Sequence, residues 1–447
     1  MIPESWRGGE IAVIGMGRSG RAAARFLEAQ GLSVYLSDAA DSDELREVAQ
    51  GLTNDRLTVD IGHHDLKRIA NACAVITSPG VPPSAPPLRA ARDAGAEILA
   101  ELDLAAMFLG DTRLIVVTGT NGKTTTTALL AHILAASGGR ELAAGNIGLP
   151  LIEVAGQPPF PAWLAVEASS FQLHDAPHLD PTIGVVTNLS PDHLDRYASV
   201  AEYYADKRNL FRNASADSVW VLNADDPAVL ELAAGVAGRH LHWSLAGDAD
   251  AYYDRTSSDL MLHGRRLLPR SDLSLLGDHN VANALAAALA ADAANVEADA
   301  IRAGVSSFIP LPNRLEPVRE IAGVLWINDS KATNVSSAIV ALQAMTRPFV
   351  LIAGGRPKGD DFSQLNESMQ SCRSVVAYGE AASAIVDAVQ SVARAAAVTD
   401  FEDAVELAAG EARSGDVVLL SPACASFDQF DNYERRGQTF RQLVEAM

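Results

Sequence analysis

A glycine-rich segment that ends in lysine and threonine carries the strongest chemical signal in this sequence. It reads Gly119-Thr120-Asn121-Gly122-Lys123-Thr124 and lies between a short apolar run and a longer Ala/Leu-rich run. In such a turn, backbone N–H groups and the start of the following helix bind phosphate oxygens, and the lysine ammonium neutralises their charge. The segment therefore predicts a nucleotide phosphate site with Thr124 as a Mg²⁺ ligand. The alternative is an ordinary strand-to-helix turn.

The spacing of this segment and the motifs around it restrict which nucleotide it can be expected to bind. Val117 stands where the pattern G-x-x-x-x-G-K-[ST] has its first glycine, so the match to that pattern is incomplete. Both ATP and GTP fit the phosphate site. No Asn-Lys-x-Asp motif follows to read guanine, which argues against a GTPase switch.

A second glycine-rich turn lies near the start of the chain. Gly15-x-Gly17-x-x-Gly20 follows an apolar run, and Asp38 ends the next such run 18 residues after Gly20. This spacing is typical of a dinucleotide site, in which the acid binds a ribose hydroxyl. The same turn and carboxylate can hold another diphosphate joined to a nucleoside, so NAD and a UDP-sugar are both open.

Acids and histidines follow other predicted strands. Glu167 ends one of them, where a carboxylate can reach a nucleotide-bound Mg²⁺, although a solvated acid is an equal alternative. Asp192-His193-Leu194-Asp195 follows another strand, so His193 is a candidate ligand and otherwise a structural histidine. In contrast, we expect His63-His64 to be surface or strand histidines.

Two polar segments follow strands in the last third of the chain. Residues 328–334 read Asn-Asp-Ser-Lys-Ala-Thr-Asn, and residues 421–426 read Ser-Pro-Ala-Cys-Ala-Ser. The hydroxyls of the second segment and the start of the next helix could bind carboxylates. We interpret Cys424 as a buried thiol and not as a nucleophile, since no neighbouring base is evident.

Composition excludes several classes of protein. The chain has 447 residues, with 35 basic and 56 acidic side chains and a net charge of −21, which argues against nucleic acid as a partner. The three cysteines are far apart and form no C-x-x-C pair, which indicates a reducing cytoplasm. We see no signal peptide and no run of 18 apolar residues, so we expect no membrane partner.

The pattern of apolar runs predicts the elements that position these residues. Short β-rich runs alternate with helical patterns, which indicates an α/β protein with parallel sheets. We expect three domains: a Rossmann-like N-terminal domain over residues 1–102, a central P-loop ATPase-type domain over 103–310 and a Rossmann-like C-terminal domain over 311–447. The predicted strands span residues 11–14, 33–37, 75–77, 114–117, 163–166, 183–186, 219–222, 324–327, 349–352, 375–378 and 417–420.

Together these motifs resemble the Mur ligase family, ATP-dependent amide-forming enzymes of peptidoglycan synthesis. The segment at 119–124 resembles the shortened phosphate loop of that family. Residues 328–334 and 421–430, with Arg436-Gly437, resemble the branch that adds glutamate to UDP-N-acetylmuramoyl-L-alanine. The resemblance implies that the first domain binds the UDP-sugar, the second ATP and the third glutamate. It also implies a cytoplasmic enzyme, which we expect to be a monomer.

The resemblance also implies roles for individual residues. UDP-sugar contacts fall on Arg18, Ser19, Asp38, Ser78 and Asn146. ATP contacts fall on Gly119, Thr120, Asn121, Gly122, Lys123, Thr124, Thr125, Asn280, Asn283, Arg314 and Asp329. Two Mg²⁺ ions are implied, with Thr124, Glu167, His193 and a carbamylated Lys207 as ligands. Glutamate contacts fall on Thr333, Lys358, Ser426 and Tyr433. Catalytic roles fall on Lys123, Glu167, His193, Lys207 and Lys331.

Three positions depart from the family pattern: Asn313, Pro357 and Tyr433. The last two touch the implied amino-acid pocket, so D- and L-glutamate are both open. Rival interpretations are a related ligase with another amino acid or a folate as substrate, a nucleotide-dependent switch without bond formation, and an NAD oxidoreductase. Folate ligases begin with the phosphate-loop domain and lack a unit such as residues 15–20.

Overall fold

The described residues form three β-sheets, one after another along the chain, each flanked by helices. The computed structural model describes residues 2–140, 142–193 and 196–447. Most neighbouring strands pair in parallel, as expected where helices connect successive strands. The α/β class predicted from the sequence is confirmed.

The first sheet has five strands in the order β3-β2-β1-β4-β5, all parallel. The chain moves outward from β1 to one side and then crosses to the other, which leaves a crevice at the carboxyl ends of β1 and β4. The strands are β1 Glu10–Ile14, β2 Ser33–Asp38, β3 Leu57–Ile61, β4 Ala74–Thr77 and β5 Glu97–Ala100. The helices are α1 Arg18–Ala29, α2 Asp43–Leu52, α3 Leu66–Ala70, α4 Pro86–Asp93 and α5 Glu101–Ala106.

The second sheet has nine strands in the order β14-β13-β12-β11-β10-β9-β6-β8-β7. The pairs β12–β13 and β13–β14 are antiparallel and extend a parallel sheet. The strands are β6 Arg113–Thr118, β7 Ala143–Gly145, β8 Trp163–Glu167, β9 Ile183–Val186, β10 Val219–Asn223, β11 Arg239–Ser244, β12 Ala251–Asp254, β13 Asp259–Leu262 and β14 Arg265–Pro269. The helices are α6 Lys123–Ala136, α7 Leu151–Ala155, α8 Ser170–His174, α9 Val200–Arg208, α10 Pro227–Leu232, α11 Asp278–Ala293 and α12 Ala298–Ser307.

The third sheet has six strands in the order β15-β16-β20-β17-β18-β19, and only the edge pair β15–β16 is antiparallel. The strands are β15 Glu316–Ile321, β16 Val324–Asn328, β17 Phe349–Gly354, β18 Cys372–Tyr378, β19 Arg394–Val398 and β20 Val417–Leu420. The helices are α13 Val335–Gln343, α14 Ala382–Val389, α15 Phe401–Glu411 and α16 Tyr433–Ala446. Short 3-10 helices span Glu4–Trp6, Asn209–Phe211, Arg270–Asp272, Phe362–Ser368 and Gly379–Ala381.

Contacts divide the chain into two compact units. One comprises Met1–Arg270 with Ala282–Ser306, and the other comprises Ser271–Val281 with Ser307–Met447. In the first unit a single hydrophobic cluster includes side chains from the first sheet and from the second. In the second unit, Leu351 and Val350 of β17 belong to two different clusters because successive side chains of a strand point to opposite faces.

Local sequence explains where several of these helices begin. Ser42 accepts a hydrogen bond from the backbone N–H of Leu45 at the start of α2. Ser169 and Gln172 form a capping box at the start of α8, two residues after Glu167. Caps of this kind satisfy N–H groups that have no partner within the helix. Within the described residues, no helix is both long enough and apolar enough to cross a bilayer.

Candidate active site

The segment at 119–124 forms a phosphate loop between β6 and α6. Gly119 and Gly122 have positive φ angles of 141° and 82°, which favour glycine. A Cβ atom at Gly119 would lie 2.0 Å from the hydroxyl of Thr187, and one at Gly122 would lie 2.3 Å from the side-chain oxygen of Asn283. Both glycines are therefore required by backbone conformation and by close approach. Helix α6 begins at Lys123, within this segment, so the positive end of the helix lies at the predicted phosphate site.

The segment that follows β9 holds the shape of this loop. Asn188 accepts from the backbone N–H of Asn121 at 2.9 Å and donates to its carbonyl oxygen at 3.0 Å. The hydroxyl of Thr187 donates to the same carbonyl at 2.6 Å. The sequence did not indicate Thr187 or Asn188, because nothing in the phosphate-loop pattern reports which residues of a neighbouring strand will contact it.

Two lysines converge on the phosphate loop. The ammonium group of Lys123 donates to the carbonyl oxygens of Gly119 and Thr120 at 2.9 and 2.8 Å. Lys207, on α9, donates to the carbonyl oxygen of Gly119 at 2.7 Å and is only 1% exposed. Burial, with the nearby charge of Lys123, holds the pKa of Lys207 well below its usual value. The structure therefore brings two of the three predicted catalytic lysines together.

Glu167 ends β8, next to the strand that leads into the phosphate loop. It is 2% exposed, and its Oε1 accepts from the side-chain amide of Asn146 at 2.9 Å. Its Oε2 is buried and has no hydrogen-bond partner among the described residues. A buried carboxylate oxygen that lacks a partner is a good ligand for a hard cation such as Mg²⁺. The chemistry of Glu167 and of Thr124 thus fits that ion.

His193 lies among aromatic rings on the segment after β9. Its ring centroid is 5.1 Å from that of Phe171 and 6.0 Å from that of Tyr203, a residue of α9 one turn before Lys207. Its φ is 55°. Asp195, which belongs to the same sequence motif, lies outside the described residues. Within the part of the chain that the structure describes, no three His, Cys, Asp or Glu side chains cluster as metal ligands.

The first glycine-rich turn has the close packing that its pattern predicts. Gly15 has a φ of 96°, and a Cβ atom at Gly20 would lie 1.9 Å from the carbonyl oxygen of Gly15. Both oxygens of Asp38 accept from backbone N–H groups, those of Met16 at 2.7 Å and Ala40 at 2.8 Å. Asp38 therefore fixes the turn to the end of β2, which is a structural role in addition to the predicted ligand contact.

Other residues predicted to bind the UDP-sugar lie around this turn. Ser78 donates to the carbonyl oxygen of Gly15 at 3.2 Å, and Ser19 lies in the first turn of α1. Arg18 donates to the carbonyl oxygen of Gly148 at 2.6 Å. Gly148 is two residues from Asn146, so Arg18 reaches the segment that also carries the Glu167 partner.

The predicted nucleotide residues beyond the phosphate loop lie on α11 and near β16. Asn283 accepts from the hydroxyl of Thr126 at 3.3 Å, and Asn280 donates to the carbonyl oxygen of Leu276 at 2.8 Å. Asp329 directly follows β16 and accepts from the hydroxyl of Ser421 at 2.9 Å and from the N–H of Leu315, the residue after Arg314, at 3.2 Å. Burial raises the pKa of Asp329 to about 7.

The predicted glutamate residues lie on four segments of the second unit. Lys358 donates to the hydroxyl of Thr333 at 3.3 Å, and the ammonium of Lys331 lies 3.9 Å from the centroid of the Tyr433 ring. Ser426 is buried in the segment after β20. The cationic and hydroxyl groups available here suit the carboxylates of an amino acid.

A buried arginine, Arg436 of α16, connects these segments. It donates to the hydroxyl and carbonyl oxygens of Ser330, both at 2.9 Å, to the carbonyl oxygen of Cys424 at 3.1 Å and to that of Gly354 at 3.4 Å. It also donates to the hydroxyl of Tyr378 at 3.2 Å. The sequence showed Arg436 only as part of a motif. In the sequence, the one feature that could have indicated a structural role for Arg436 is its position next to Gly437 in an amphipathic helix.

Asn313, one of the three departures from the family pattern, has a structural role here. Its side-chain oxygen accepts from the amide of Asn328 at 2.9 Å, and its φ is 63°. A Cβ atom at Gly437 would lie 1.8 Å from that oxygen, so glycine is required at position 437. Asn313 therefore packs between β16 and α16.

Family models match three consecutive parts of the chain. They are the Mur ligase MurD-like N-terminal domain over residues 9–100, the Mur ligase middle domain over 117–291 and the Mur ligase glutamate ligase domain over 313–424. These three matches agree with the three-domain α/β fold predicted from the sequence.

Curated relatives match over nearly the full length. The UDP-N-acetylmuramoylalanine--D-glutamate ligase of Koribacter versatilis is 39% identical over 451 residues, which cover 99% of this chain and 98% of that protein. The protein of the same name from Myxococcus xanthus is 40% identical over 449 residues, which cover 98% of this chain and 99% of that protein.

Solved structures share the fold at lower identity. The UDP-N-acetylmuramate-alanine ligase MurC from Thermotoga maritima has a TM-score of 0.63 and 18% identity, and the match covers 98% of this chain and 99% of that one. A pseudomurein peptide ligase type C from Methanothermus fervidus has a TM-score of 0.60 and 21% identity, with 98% and 100% covered. By its family matches and its full-length relatives, the chain belongs to the Mur ligase family of ATP-dependent amide ligases.

Proposed function

We propose that this chain joins D-glutamate to the L-alanyl carboxylate of UDP-N-acetylmuramoyl-L-alanine, with cleavage of ATP to ADP and phosphate. The observation that carries the proposal is the near-40% identity to curated D-glutamate ligases, which extends through all three domains. The product is a precursor of peptidoglycan. The proposal also includes the domain boundaries given above, a monomeric state and a cytoplasmic location.

The phosphate loop supports the assignment of ATP. Its backbone N–H groups would bind the β- and γ-phosphates, and the ammonium of Lys123, which now donates to the loop carbonyls, would bind a phosphate oxygen. Asp329, whose carboxyl directly follows β16, would contact the ribose, and Arg314 would contact the phosphates. The further nucleotide contacts in this proposal are Thr120, Asn121, Thr125, Asn280 and Asn283.

The donor groups near the loop support Mg²⁺ as the cofactor. Glu167 has a buried oxygen without a partner among the described residues, and Thr124 lies in the first turn of α6. Bound Mg²⁺ would neutralise charge on the phosphoryl group that is transferred. His193 and Lys207 would hold a second ion, provided that Lys207 carries a carbamate.

The environment of Lys207 supports carbamylation. Because its pKa is lowered, a larger share of the amine is neutral at a given pH than in an exposed lysine, and only the neutral amine attacks carbon dioxide. A new C–N bond then forms, one N–H proton leaves, and the side chain becomes an anion. An anionic group beside the charge of Lys123 is electrostatically favourable, whereas a second cation is not.

The amide bond requires an activated carboxylate. An oxygen of the L-alanyl carboxylate attacks the γ-phosphorus, ADP leaves, and an acyl phosphate forms. The glutamate nitrogen then attacks the acyl carbon, and phosphate leaves as the tetrahedral intermediate collapses. Lys123 and Arg314 stabilise the charge that develops on the transferred group. These residues also position the reacting groups for in-line attack.

The residues of the second unit support glutamate as the added amino acid. Lys358, Thr333 and Ser426 offer an ammonium and two hydroxyl groups to carboxylates. Tyr433 adds a hydroxyl and a ring, and Pro357 shapes the segment before Lys358. The proposed UDP-sugar contacts in the first unit are Arg18, Ser19, Asp38, Ser78 and Asn146.

Phosphate release tests the proposal directly. The protein is incubated with ATP, Mg²⁺ and UDP-N-acetylmuramoyl-L-alanine, with D-glutamate, L-glutamate or no amino acid. We expect phosphate release with D-glutamate only. Release with L-glutamate instead would show the opposite stereochemical preference. Pro357 and Tyr433, which depart from the family pattern, would then be the residues to test as its cause. Absence of release with either would contradict glutamate as the substrate.

A further inference from the structure

His64 occupies a position in the first domain that its sequence context did not predict. It follows β3 and is half-buried, with its Nδ1 at 2.9 Å from the hydroxyl oxygen of Ser37. Ser37 lies in β2 and is fully buried. The neighbouring His63 is exposed and lies near Asp60, in agreement with the expected surface histidine. The two adjacent histidines therefore have different environments.

The contact with Ser37 places His64 at the ligand edge of the first sheet. Ser37 is the residue before Asp38, and Asp38 binds the backbone N–H of Met16 within the glycine-rich turn. Strands β2 and β3 are parallel neighbours, so their carboxyl ends meet at the same edge. The ring of His64 therefore lies beside the segment where a ribose and base are expected to bind in this kind of domain.

The contact with Ser37 is the basis on which we assign a tautomer to His64. A buried hydroxyl needs an acceptor for its proton. The hydroxyl of Tyr35, on the same face of β2, already donates to Asp60 at 2.9 Å and accepts from the N–H of Asp65 at 2.9 Å. We assign the proton of Ser37 to its contact with Nδ1 of His64. A neutral ring that accepts at Nδ1 carries its own proton at Nε2.

We propose that His64 is a specificity-determining residue for the substrate, and that its Nε2–H donates to the nucleoside part of the UDP-sugar. Apart from Ser37, the structure gives this ring no hydrogen-bond partner among the described residues. Nε2 lies on the side of the ring away from Ser37. A uracil carbonyl or a ribose hydroxyl is the acceptor that such a donor recognises. The inference rests on the proposed function, because it requires a uridine nucleotide at this edge.

The test is the affinity for UDP, measured by calorimetry on the full chain with a non-hydrolysable ATP analogue saturating the phosphate loop. His64→Ala removes the donor, and we expect UDP affinity to fall by about fivefold to tenfold. His64→Gln keeps an N–H donor near the position of Nε2, so its affinity should stay within about threefold of the original protein. His63→Gln is the matched control and should bind UDP unchanged.

Affinity for the ATP analogue and the melting temperature are measured for each variant, because a general loss of structure would lower both. Unchanged UDP affinity in His64→Ala would overturn the inference. An equal loss in His64→Gln would also overturn it, since that result would assign His64 a packing role. If the unmodified protein binds the ATP analogue but no UDP, the proposed function itself fails.

Discussion

The ammonium group of Lys207 donates to the carbonyl oxygen of Gly119, and that oxygen also accepts from Lys123. Two lysine side chains therefore share one acceptor. The burial of Lys207 and, after it, the charge of Lys123 lower the pKa of Lys207 and favour its neutral form. This arrangement leads to the first of four predictions.

Replacement of Lys207 by alanine should nearly abolish phosphate release, because the proposed anionic carbamate cannot form. If the carbamate is the functional group, short carboxylic acids such as acetate should restore part of the activity by occupying the space left by the side chain. The measurement is phosphate release as a function of acetate concentration. The comparison variant, Lys123→Ala, should show no such restoration. A Lys207→Ala protein that acetate leaves inactive would count against carbamylation.

Replacement of Lys123 by alanine should lower turnover by about a thousandfold, because it removes the ammonium proposed to stabilise the transferred phosphoryl group. UDP-sugar binding should be unaffected, since the glycine-rich turn at residues 15–20 belongs to a different sheet. Calorimetry with UDP-N-acetylmuramoyl-L-alanine measures this second property. Loss of that binding in Lys123→Ala would contradict the assignment of the two ligands to two domains.

Replacement of Arg436 by lysine should lower the free energy of unfolding by about 2–4 kcal/mol, because a single ammonium cannot make the five hydrogen bonds of the guanidinium. The KM for glutamate should rise, whereas the affinity for UDP should not change. Urea denaturation and steady-state kinetics provide the two measurements. Arg435→Lys, an exposed neighbour on α16, is the matched control. Equal effects of both substitutions would argue against the role of Arg436.

Two buried acids on α5 predict a pH-dependent stability. Glu101 accepts from the N–H of Ile152 at 2.7 Å and Asp103 from that of His178 at 2.9 Å, and each keeps a second buried oxygen without a partner among the described residues. Burial raises the pKa of each to about 7. The folded state thus holds protons that the unfolded state releases near pH 4. This contribution to stability is complete below pH 4 and is lost as the pH rises to about 7.

Thermal melting at pH 6 and pH 8 tests this sign. The melting temperature should fall over that interval, and the fall should be smaller in Glu101→Gln, whose amide oxygen can still accept from Ile152. Glu47→Gln changes an exposed acid on α2 and should keep the original pH dependence. If Glu101→Gln loses as much stability between the two pH values as the unmodified protein does, Glu101 does not titrate in this range.

Much of the fold followed from local patterns. The predicted strand at residues 183–186 has the bounds of β9, and those at 11–14 and 114–117 lie within one residue of β1 and β6 at each end. Apolar runs bounded by glycine and polar residues mark such buried strands clearly. Strand β15 was not predicted, because its residues Glu-Pro-Val-Arg-Glu-Ile are partly exposed and contain proline. Its pairing with β16 depends on the tertiary structure.

In the candidate site, too, some residues could be predicted from the sequence and others could not. Lys123 and Glu167 belong to local patterns whose chemistry is evident from the residues themselves. Asn188 and His64 act through side-chain contacts with residues 67 and 27 positions away in the chain. A single sequence contains no signal for such pairs. His63 and His64 are adjacent in the sequence, but His63 is exposed and His64 is half-buried. Composition does not report this difference in burial.

The hydrogen bonds of Arg436 have a consequence for biosynthesis. The segments that carry Thr333, Lys358 and Ser426 leave the ribosome before α16 does, yet the guanidinium that joins them is on that helix. During translation these segments therefore lack their common anchor until α16 emerges and docks. A ribosome stalled before residue 433 should display a folded first unit and no competent amino-acid pocket. The amino-acid pocket is therefore completed only by the last helix of the chain to be synthesised.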